Sequence, residues 1–395
     1  MERYKERLEE VKSLLNKDQI DLKRLREICS QSCPNEGGLR SVIWKILLNY
    51  LPSDRKQWTE ILNKRRNEYR NFVRDMIIRP GYKENENCEI DHPLNSNPES
   101  EWSSFFKDNE VLVQIDKDVR RLCPDLFFFQ KPTEFPCEEI KNVQDAEIYQ
   151  SLRKRVAKTQ LKADEVSKHR LGFTNYKSNS KKTKEEQDEY AYLPDGQEAH
   201  WEIIERILFI YAKLNRGCSY VQGMNEVLGP IYYIFANDPD IEWRRNAEAD
   251  CFFCFNNLMG LEGIRENFEL VLDNTQIGIA ANMKRLYDLV RSNDPSVFNI
   301  LQKQNLKPEF FAFRWITLLL SQEFKLPEVI SLWDVLFADK ETLDLLIHVC
   351  CAMILIQREH LLKGDFSANI KILQNYPNSV EIKEIVEKAR NIRRK

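Results

Sequence analysis

The sequence has little glycine and histidine, with 12 and 5 residues among 395. Few of its segments alternate apolar and polar residues with a period of two, which is the pattern of half-buried strands. Strong helix formers dominate instead, and many segments repeat apolar residues at helical spacing. We therefore predict an all-α protein without a sheet of three or more strands.

An excess of charge of either sign is also missing. The chain has 59 basic and 62 acidic residues, which gives a formal net charge of -3. Proteins that bind nucleic acid generally carry a basic excess, because much of their affinity comes from phosphate contacts. We therefore expect no nucleic-acid partner.

No apolar run is long enough to cross a bilayer. The run near residues 343–356 contains Asp344 and His348, and the N-terminal MERYKERLEEVKSLL is charged from its second residue. A signal peptide would need an apolar segment there, and a spanning helix needs about 20 apolar residues. We expect a soluble, cytoplasmic protein with peripheral membrane contact at most.

The ten cysteines match neither a zinc motif nor a disulfide framework. Cys251 and Cys254 form a CxxC pair inside an apolar helical segment, and no second pair follows at zinc-finger spacing. Cys29 and Cys33 also lack histidine partners. Free and mostly buried thiols are typical of a reducing compartment. We predict no metal site.

The motifs of self-contained enzymes are absent as well. The sequence has no GxxxxGK[ST] phosphate loop, no GxSxG nucleophile elbow, no kinase motifs and no HExxH. Cys218 and His200 could act as nucleophile and base, but no third residue is recognisable that would orient them. We expect no independent active site.

The segment at residues 111–129, VLVQIDKDVRRLCPDLFFF, organises the rest of the chain. Pro124 should end its helix, which places Arg121 in the last turn and Asp118 one turn earlier. Four apolar residues recur at helical spacing and predict one buried stripe: Leu112, Ile115, Val119 and Leu122.

Two roles are open for Arg121. A cation at the end of a helix is stabilised by the helix dipole and by free carbonyl groups, which is a purely structural role. An arginine on a rigid helix end, steadied by Asp118, could instead be presented to a partner as a finger for phosphate charge.

Two further segments also allow either a structural or a functional role. Gln222 and Asn225, in SYVQGMNEVLG, could cap the apolar helix that follows, or an amide there could orient a ligand or a water. Arg40 and Trp44 are four residues apart and share a helix face. A core tryptophan beside a solvated arginine is their structural interpretation.

Together, three short motifs resemble the signature of the TBC (Tre-2/Bub2/Cdc16) family of GTPase-activating proteins for Rab GTPases. The flanking phrases GLRSVIWKILLNYLP, EADCFFCFNNLM and SLWDVLF resemble the family too. The motifs are RxxxW at Arg40 and Trp44, IxxDxxR at Ile115, Asp118 and Arg121, and YxQ at Tyr220 and Gln222.

The resemblance implies an all-α TBC domain of two packed helical subdomains with a long insertion loop. It covers about residues 35–345, with the insertion at about 131–199. Residues 1–34 would form an N-terminal helical lead, and residues 346–395 a C-terminal helical continuation. Within the insertion, the polar composition of residues 174–196 predicts a flexible loop that is dispensable for activity.

The resemblance also implies a mechanism. Arg121 would enter the nucleotide site of a GTP-bound Rab and stabilise charge on the phosphoryl group, while Gln222 would position the attacking water. The chain would need no cofactor, since Mg²⁺ and GTP are bound by the partner. The remaining motif residues would support these two fingers or bind the GTPase: Asp118, Tyr220, Arg40 and Trp44.

Two functions are therefore in competition. The first is an active Rab GTPase-activating protein in vesicle trafficking and intracellular protein transport, which meets membranes transiently through its GTPase. The alternative is a catalytically silent helical adaptor that binds a Rab or another trafficking partner. The presence of both Arg121 and Gln222 favours the first.

Overall fold

The computed structural model describes residues 2–77, 101–138, 152–157, 159–160, 193–194, 196–269 and 278–394. Within these ranges the regular structure is helical, and the β-pairings are two isolated bridges, Gln19 with Asp54 and Pro132 with Ala199. The predicted all-α fold is confirmed. Most of the loop predicted at residues 174–196 lies outside the described residues.

The chain divides into two compact units. The discontinuous unit consists of Met1–Arg65 and Glu226–Lys395, and the continuous unit of Arg66–Asn225. The domain boundaries drawn from the sequence stay a prediction. None of the helices that the structure describes is long and apolar enough to cross a membrane.

Most of the helices lie in the discontinuous unit, and two of them, Trp58–Ile77 and Met224–Ala236, contain a boundary between the units. The other helices of this unit are Glu2–Leu15, Leu22–Cys29, Leu39–Leu47, Ile241–Arg245, Ala247–Met259, Ile279–Asn293, Pro295–Lys303, Ala312–Thr317, Leu326–Ala338, Thr342–Ile356, Arg358–Lys363, Phe366–Gln374 and Ile382–Arg393, with 3-10 turns at Arg55–Gln57, Arg265–Phe268 and Pro308–Phe310.

Aspartate side chains cap the N-termini of several of these helices. Asp21 accepts a hydrogen bond from the Arg24 backbone at the start of Leu22–Cys29. Asp21 immediately precedes the first helical residue, which is the position of a capping side chain. Asp294 accepts bonds from two backbone N–H groups at the start of Pro295–Lys303, whose first residue is a proline. Proline is tolerated there because its missing N–H would have no partner within the helix.

The core of the discontinuous unit is built around Thr342–Ile356, which packs against Ile279–Asn293 and Ile382–Arg393. A helix that is apolar on nearly all sides must be surrounded by others. Its two adjacent cysteines, Cys350 and Cys351, are buried, and the cysteines that the structure describes are free thiols.

The continuous unit is built on Glu101–Val119 and His200–Leu214, and the 3-10 turn Phe127–Gln130 packs against the second of these helices. The guanidinium of Arg120 lies over the Trp201 ring, and Lys213 pairs with Asp108, so the two helices run antiparallel. The predicted apolar stripe is fully buried: Leu112, Ile115, Val119 and Leu122.

Part of the segment predicted as an insertion contributes to this core. Leu152 and Val156 are buried on a short helical stretch. Between them, the guanidinium of Arg155 donates to Oδ1 of Asn109 at 2.8 and 2.9 Å and to the Met76 carbonyl at 3.2 Å. Burial lowers the pKa of Arg155 to about 10, so it stays charged at neutral pH. This stretch is therefore anchored to the unit by an arginine.

Candidate functional site

Arg121 lies in the turn that follows Glu101–Val119, two residues beyond the helix end, and not in the last helical turn that the sequence suggested. Its backbone N–H donates to the Asp118 carbonyl, three residues back, at 3.2 Å. Cys123 has a φ of 44°. A residue before proline is excluded from the helical region, so the chain must leave the helix before Pro124 is reached.

Asp118 links the Arg121 turn to the YxQ motif. Its Oδ1 accepts a hydrogen bond from Nη2 of Arg121 at 3.3 Å, and its Oδ2 accepts one from the Tyr220 hydroxyl at 2.8 Å. The Asp118 backbone carbonyl accepts a third, from Nδ2 of Asn225 at 3.3 Å. A single aspartate thus binds residues of two motifs that lie 102 positions apart.

The Arg121 side chain is fixed at its base and open at its tip. Its Nε donates to the Lys117 carbonyl at 3.0 Å, and its Nη2 binds Asp118. Even so, 65% of the side chain is exposed. An arginine whose stem is held and whose outer N–H groups face solvent is arranged to bind a planar or tetrahedral anion from outside the chain.

Gln222 is presented on the neighbouring loop. It is exposed, and its amide makes no hydrogen bond to any other residue in the described part of the chain. The loop is shaped by Ser219 and Gly223, whose φ angles are 53° and 103°. The second value favours glycine strongly, because a side chain would clash with the backbone there. Asn225, the other amide for which the sequence allowed a capping role, donates to the Asp118 carbonyl.

The adjacent Arg120 has a different environment. Its Nε donates to both carboxylate oxygens of Asp116 at 3.0 Å, and its guanidinium lies 4.6 Å from the centre of the Trp201 ring. Only 16% of the side chain is exposed. Of the two consecutive arginines, Arg121 is therefore the one presented to solvent.

Arg120 belongs to a buried network of charged groups. Burial raises the pKa of Glu205 well above its ordinary value, and the charges of Asp116 and Glu202 raise it further, while Arg120 and Arg206 oppose them. The Oε1 atom of Glu205 is buried and, within the described residues, lacks a hydrogen-bond partner. Within this network, the side chain that binds the Arg120 guanidinium directly is that of Asp116.

This contrast predicts different effects on stability. Arg120→Ala should lower the free energy of unfolding by about 1–3 kcal/mol, because it removes the cation bound to a buried carboxylate. Arg121→Ala should change it by less than about 1 kcal/mol, because exposed ion pairs contribute little. Urea denaturation of both variants measures the difference. Equal losses would show that Arg121 is as structural as Arg120.

Arg40 and Trp44 share a buried partner within the discontinuous unit. Nε of Arg40 donates to Oδ1 of Asp334 at 3.1 Å, and Nε1 of Trp44 donates to the same atom at 2.8 Å. The Cys33 backbone N–H donates to Oδ2 at 2.9 Å. Burial raises the pKa of Asp334, and the charge of Arg40 opposes that rise.

These contacts fasten Leu39–Leu47 to Leu326–Ala338, so the RxxxW motif has a structural role in the discontinuous unit. The further role predicted for Arg40 and Trp44, to bind the GTPase or support its fingers, stays a prediction. Sequence reasoning missed Asp334 and the contact of Asn225 with Asp118. An acidic residue inside the apolar phrase SLWDVLF was the available signal for Asp334, because buried acids are rare unless paired.

Comparison with known proteins shows which family this chain is part of. The family described as the Rab-GTPase-TBC domain matches residues 149–362. TBC1 domain family member 13 of mouse and of human is 52% identical over 98% of this chain and 98% of that protein. A TBC domain-containing protein of Schizosaccharomyces pombe is 33% identical over 95% of this chain and 71% of its own length. This chain belongs to the Rab-GTPase-TBC family.

A solved structure of a Ypt/Rab-GAP domain has the same fold. The crystal structure of the Ypt/Rab-GAP domain of Gyp1p superposes with a TM-score of 0.65 and covers 98% of both chains, at 22% identity. The family match includes Tyr220 and Gln222 but begins after Arg121. The Arg121 turn of this TBC protein is instead covered by the longer similarity to member 13.

In the ranges that the structure describes, no group of three or more histidine, cysteine, aspartate and glutamate side chains is placed to hold a metal ion. The expectation that Mg²⁺ and GTP are brought by the partner stays a prediction. The candidate site of this TBC protein therefore consists of Arg121 and Gln222, with Asp118, Tyr220 and Asn225 holding the segments that carry them.

Proposed function

We propose that this TBC protein accelerates GTP hydrolysis by a GTP-bound Rab GTPase, and that it supplies Arg121 and Gln222 to the partner's nucleotide site. Membership of the Rab-GTPase-TBC family supports the general role. One observation carries the assignment of residues. Asp118 binds Arg121 and Tyr220 together, while the Arg121 side chain remains largely exposed.

Arg121 would stabilise the charge that spreads over the phosphoryl oxygens as the bond to the leaving group breaks. Its planar guanidinium can contact two such oxygens at once. An arginine finger typically contributes ~10³–10⁵ in rate. Fixing Nε to the Lys117 carbonyl and Nη2 to Asp118 before the GTPase arrives reduces the ordering that binding must impose.

Gln222 would orient the attacking water. A carboxamide oxygen accepts a hydrogen bond from the water, and the amide N–H donates to a phosphate oxygen or to the partner's backbone. The exposed amide is available for both, and the bond from Tyr220 to Asp118 holds its loop beside the arginine turn. Positioning supplies most of the catalysis in phosphoryl transfer.

The proposal is tested with single-turnover hydrolysis across a panel of GTP-loaded Rabs. At least one Rab should be stimulated by a factor of about 10³ or more. If Rabs bind the native protein but none is stimulated, the protein is a silent adaptor, and the catalytic roles of Arg121 and Gln222 would be withdrawn.

Tyr220→Phe tests whether the hydrogen bond from Tyr220 to Asp118 positions the candidate site. It removes the hydroxyl that binds Asp118 and retains the ring, so the maximal rate of the responsive Rab should fall about tenfold through loss of positioning. Tyr376→Phe is the matched control, since it also removes a buried hydroxyl, the one that donates to the Met353 carbonyl at 3.1 Å. The control should lose similar stability but keep its activity. Equal rates for both variants would exclude a positioning role for Tyr220.

A further inference from the structure

Phe127 has the most exposed large apolar side chain in the part of the chain that the structure describes, at 68%. It begins the 3-10 turn Phe127–Gln130, six residues after Arg121. Exposed aromatic side chains bring no stabilisation to the isolated chain, whereas aromatic residues are enriched at the centres of protein interfaces. The mechanism described above makes no use of Phe127.

The turn that carries Phe127 is fixed on two sides. The Phe128 ring stacks on His200, with ring centres 4.2 Å apart, and Phe129 is fully buried. Nε2 of Gln130 donates to the Arg120 carbonyl at 3.2 Å, within the turn that carries Arg121. Phe127 is therefore held at a defined position relative to Arg121, as an anchoring side chain in an interface must be.

The distance from Phe127 to Arg121 is short compared with the radius of a protein interface. Three residues of a 3-10 turn rise about 6 Å, and the Gln130 side chain links the end of that turn directly to Arg120. A standard interface covers about 800 Å² on each partner, which corresponds to a radius of about 16 Å. A GTPase that received Arg121 at its nucleotide site would therefore also cover Phe127.

We propose that Phe127 is a docking contact that binds an apolar patch on the GTPase beside its nucleotide site. This inference rests on the proposed function for the identity of the partner. The ammonium of Lys131 lies over the Phe127 ring, 6.0 Å from its centre, and adds a cation to this contact. Phe127 contributes to affinity and not to the chemical step. Its loss therefore raises the GTPase concentration at which the rate is half-saturated and leaves the saturated rate unchanged.

The test uses the full chain and the most responsive Rab of the panel, with initial rates measured against GTP-loaded Rab concentration. Phe127→Ala should raise the half-saturating concentration about tenfold and keep the saturated rate within about twofold. Phe127→Trp should restore the affinity, because it returns an aromatic surface. Arg121→Ala should give the opposite result, a lost saturated rate with little change in binding.

Phe106→Ala is the matched control within the same unit. Phe106 is 38% exposed and lies 13 residues before the end of Glu101–Val119, which is about 20 Å along the helix from the Arg121 turn. Its half-saturating concentration should equal that of the native protein. A tenfold rise for Phe106→Ala as well would mean that the effect is not local to Phe127, and the proposal would be overturned.

The two proposals fail in different ways. Binding of Rabs loaded with a non-hydrolysable GTP analogue tests Phe127 without any hydrolysis. If Phe127→Ala binds the analogue complex as tightly as the native protein does, Phe127 is not a docking contact, whatever the activity. If binding weakens about tenfold but no Rab is stimulated, only the catalytic proposal fails. A native protein that binds no Rab overturns both proposals. If Phe127→Ala changes self-association and leaves Rab binding unchanged, the docking proposal alone is overturned.

Discussion

Arg121→Ala should reduce stimulation of the responsive Rab by about 10³-fold or more, while the protein remains folded. The side chain is largely exposed, so its loss costs little stability. Arg121→Lys should be nearly as inactive, because an ammonium keeps the charge but cannot span two phosphate oxygens while it also binds Asp118. Single-turnover hydrolysis at saturating TBC protein measures both variants.

Arg120→Ala is the matched control for that experiment. Assayed below its melting temperature, the folded variant should keep most of its activity, because the Arg120 guanidinium is occupied by Asp116 and Trp201. An active Arg121→Ala together with an inactive, folded Arg120→Ala would reverse the assignment of the two arginines.

Gln222→Ala should abolish stimulation of a Rab whose own catalytic glutamine has been replaced. The native TBC protein should still stimulate that Rab, at least in part, since it supplies an amide for the attacking water. With Gln222 removed, neither protein orients the water, and a loss of about 10² or more is expected from positioning alone. Single-turnover rates on the glutamine-replaced Rab test this.

The control for Gln222→Ala is binding. Affinity for the Rab loaded with a non-hydrolysable GTP analogue should stay within about twofold of the native value, because the Gln222 amide acts on the water and not on the docking surface. If Gln222→Ala hydrolysed GTP as fast as the native protein, Gln222 would have no part in the reaction, and the mechanism would reduce to Arg121 alone.

The helical fold was predictable because the information for it is local. The four residues of the stripe in the arginine segment, Leu112 to Leu122, are buried as their spacing predicts. The end of the helix was harder to predict from the sequence. Pro124 marks where a helix cannot continue and not where its backbone hydrogen bonds stop. The helix ended earlier because Cys123 had to take a non-helical conformation.

The candidate site was predictable as a set of residues but not as an arrangement. Periodicity indicated that Asp118 and Arg121 are neighbours, because one helical turn separates them. It could not show that the Tyr220 hydroxyl binds Asp118 or that Arg40 and Trp44 share Asp334, since these partners lie 102 and about 290 residues apart. Such contacts depend on the packing of distant helices, which no local pattern contains.

The discontinuous unit also sets an order for biosynthesis. The guanidinium of Arg26 donates to the carbonyls of Phe337 and Ala338, so Leu22–Cys29 needs a helix that is translated 312 residues later. At 5–20 residues per second, the ribosome takes about 15–60 s to reach it. During that time Leu22–Cys29, which carries the buried residues Leu25 and Ile28, lacks the part of its packing that Leu326–Ala338 supplies. The continuous unit, whose partners are all synthesised by residue 225, can fold in the interval. We therefore expect the nascent chain to depend on chaperones until Leu326–Ala338 has emerged, because chaperones bind transiently exposed apolar surface.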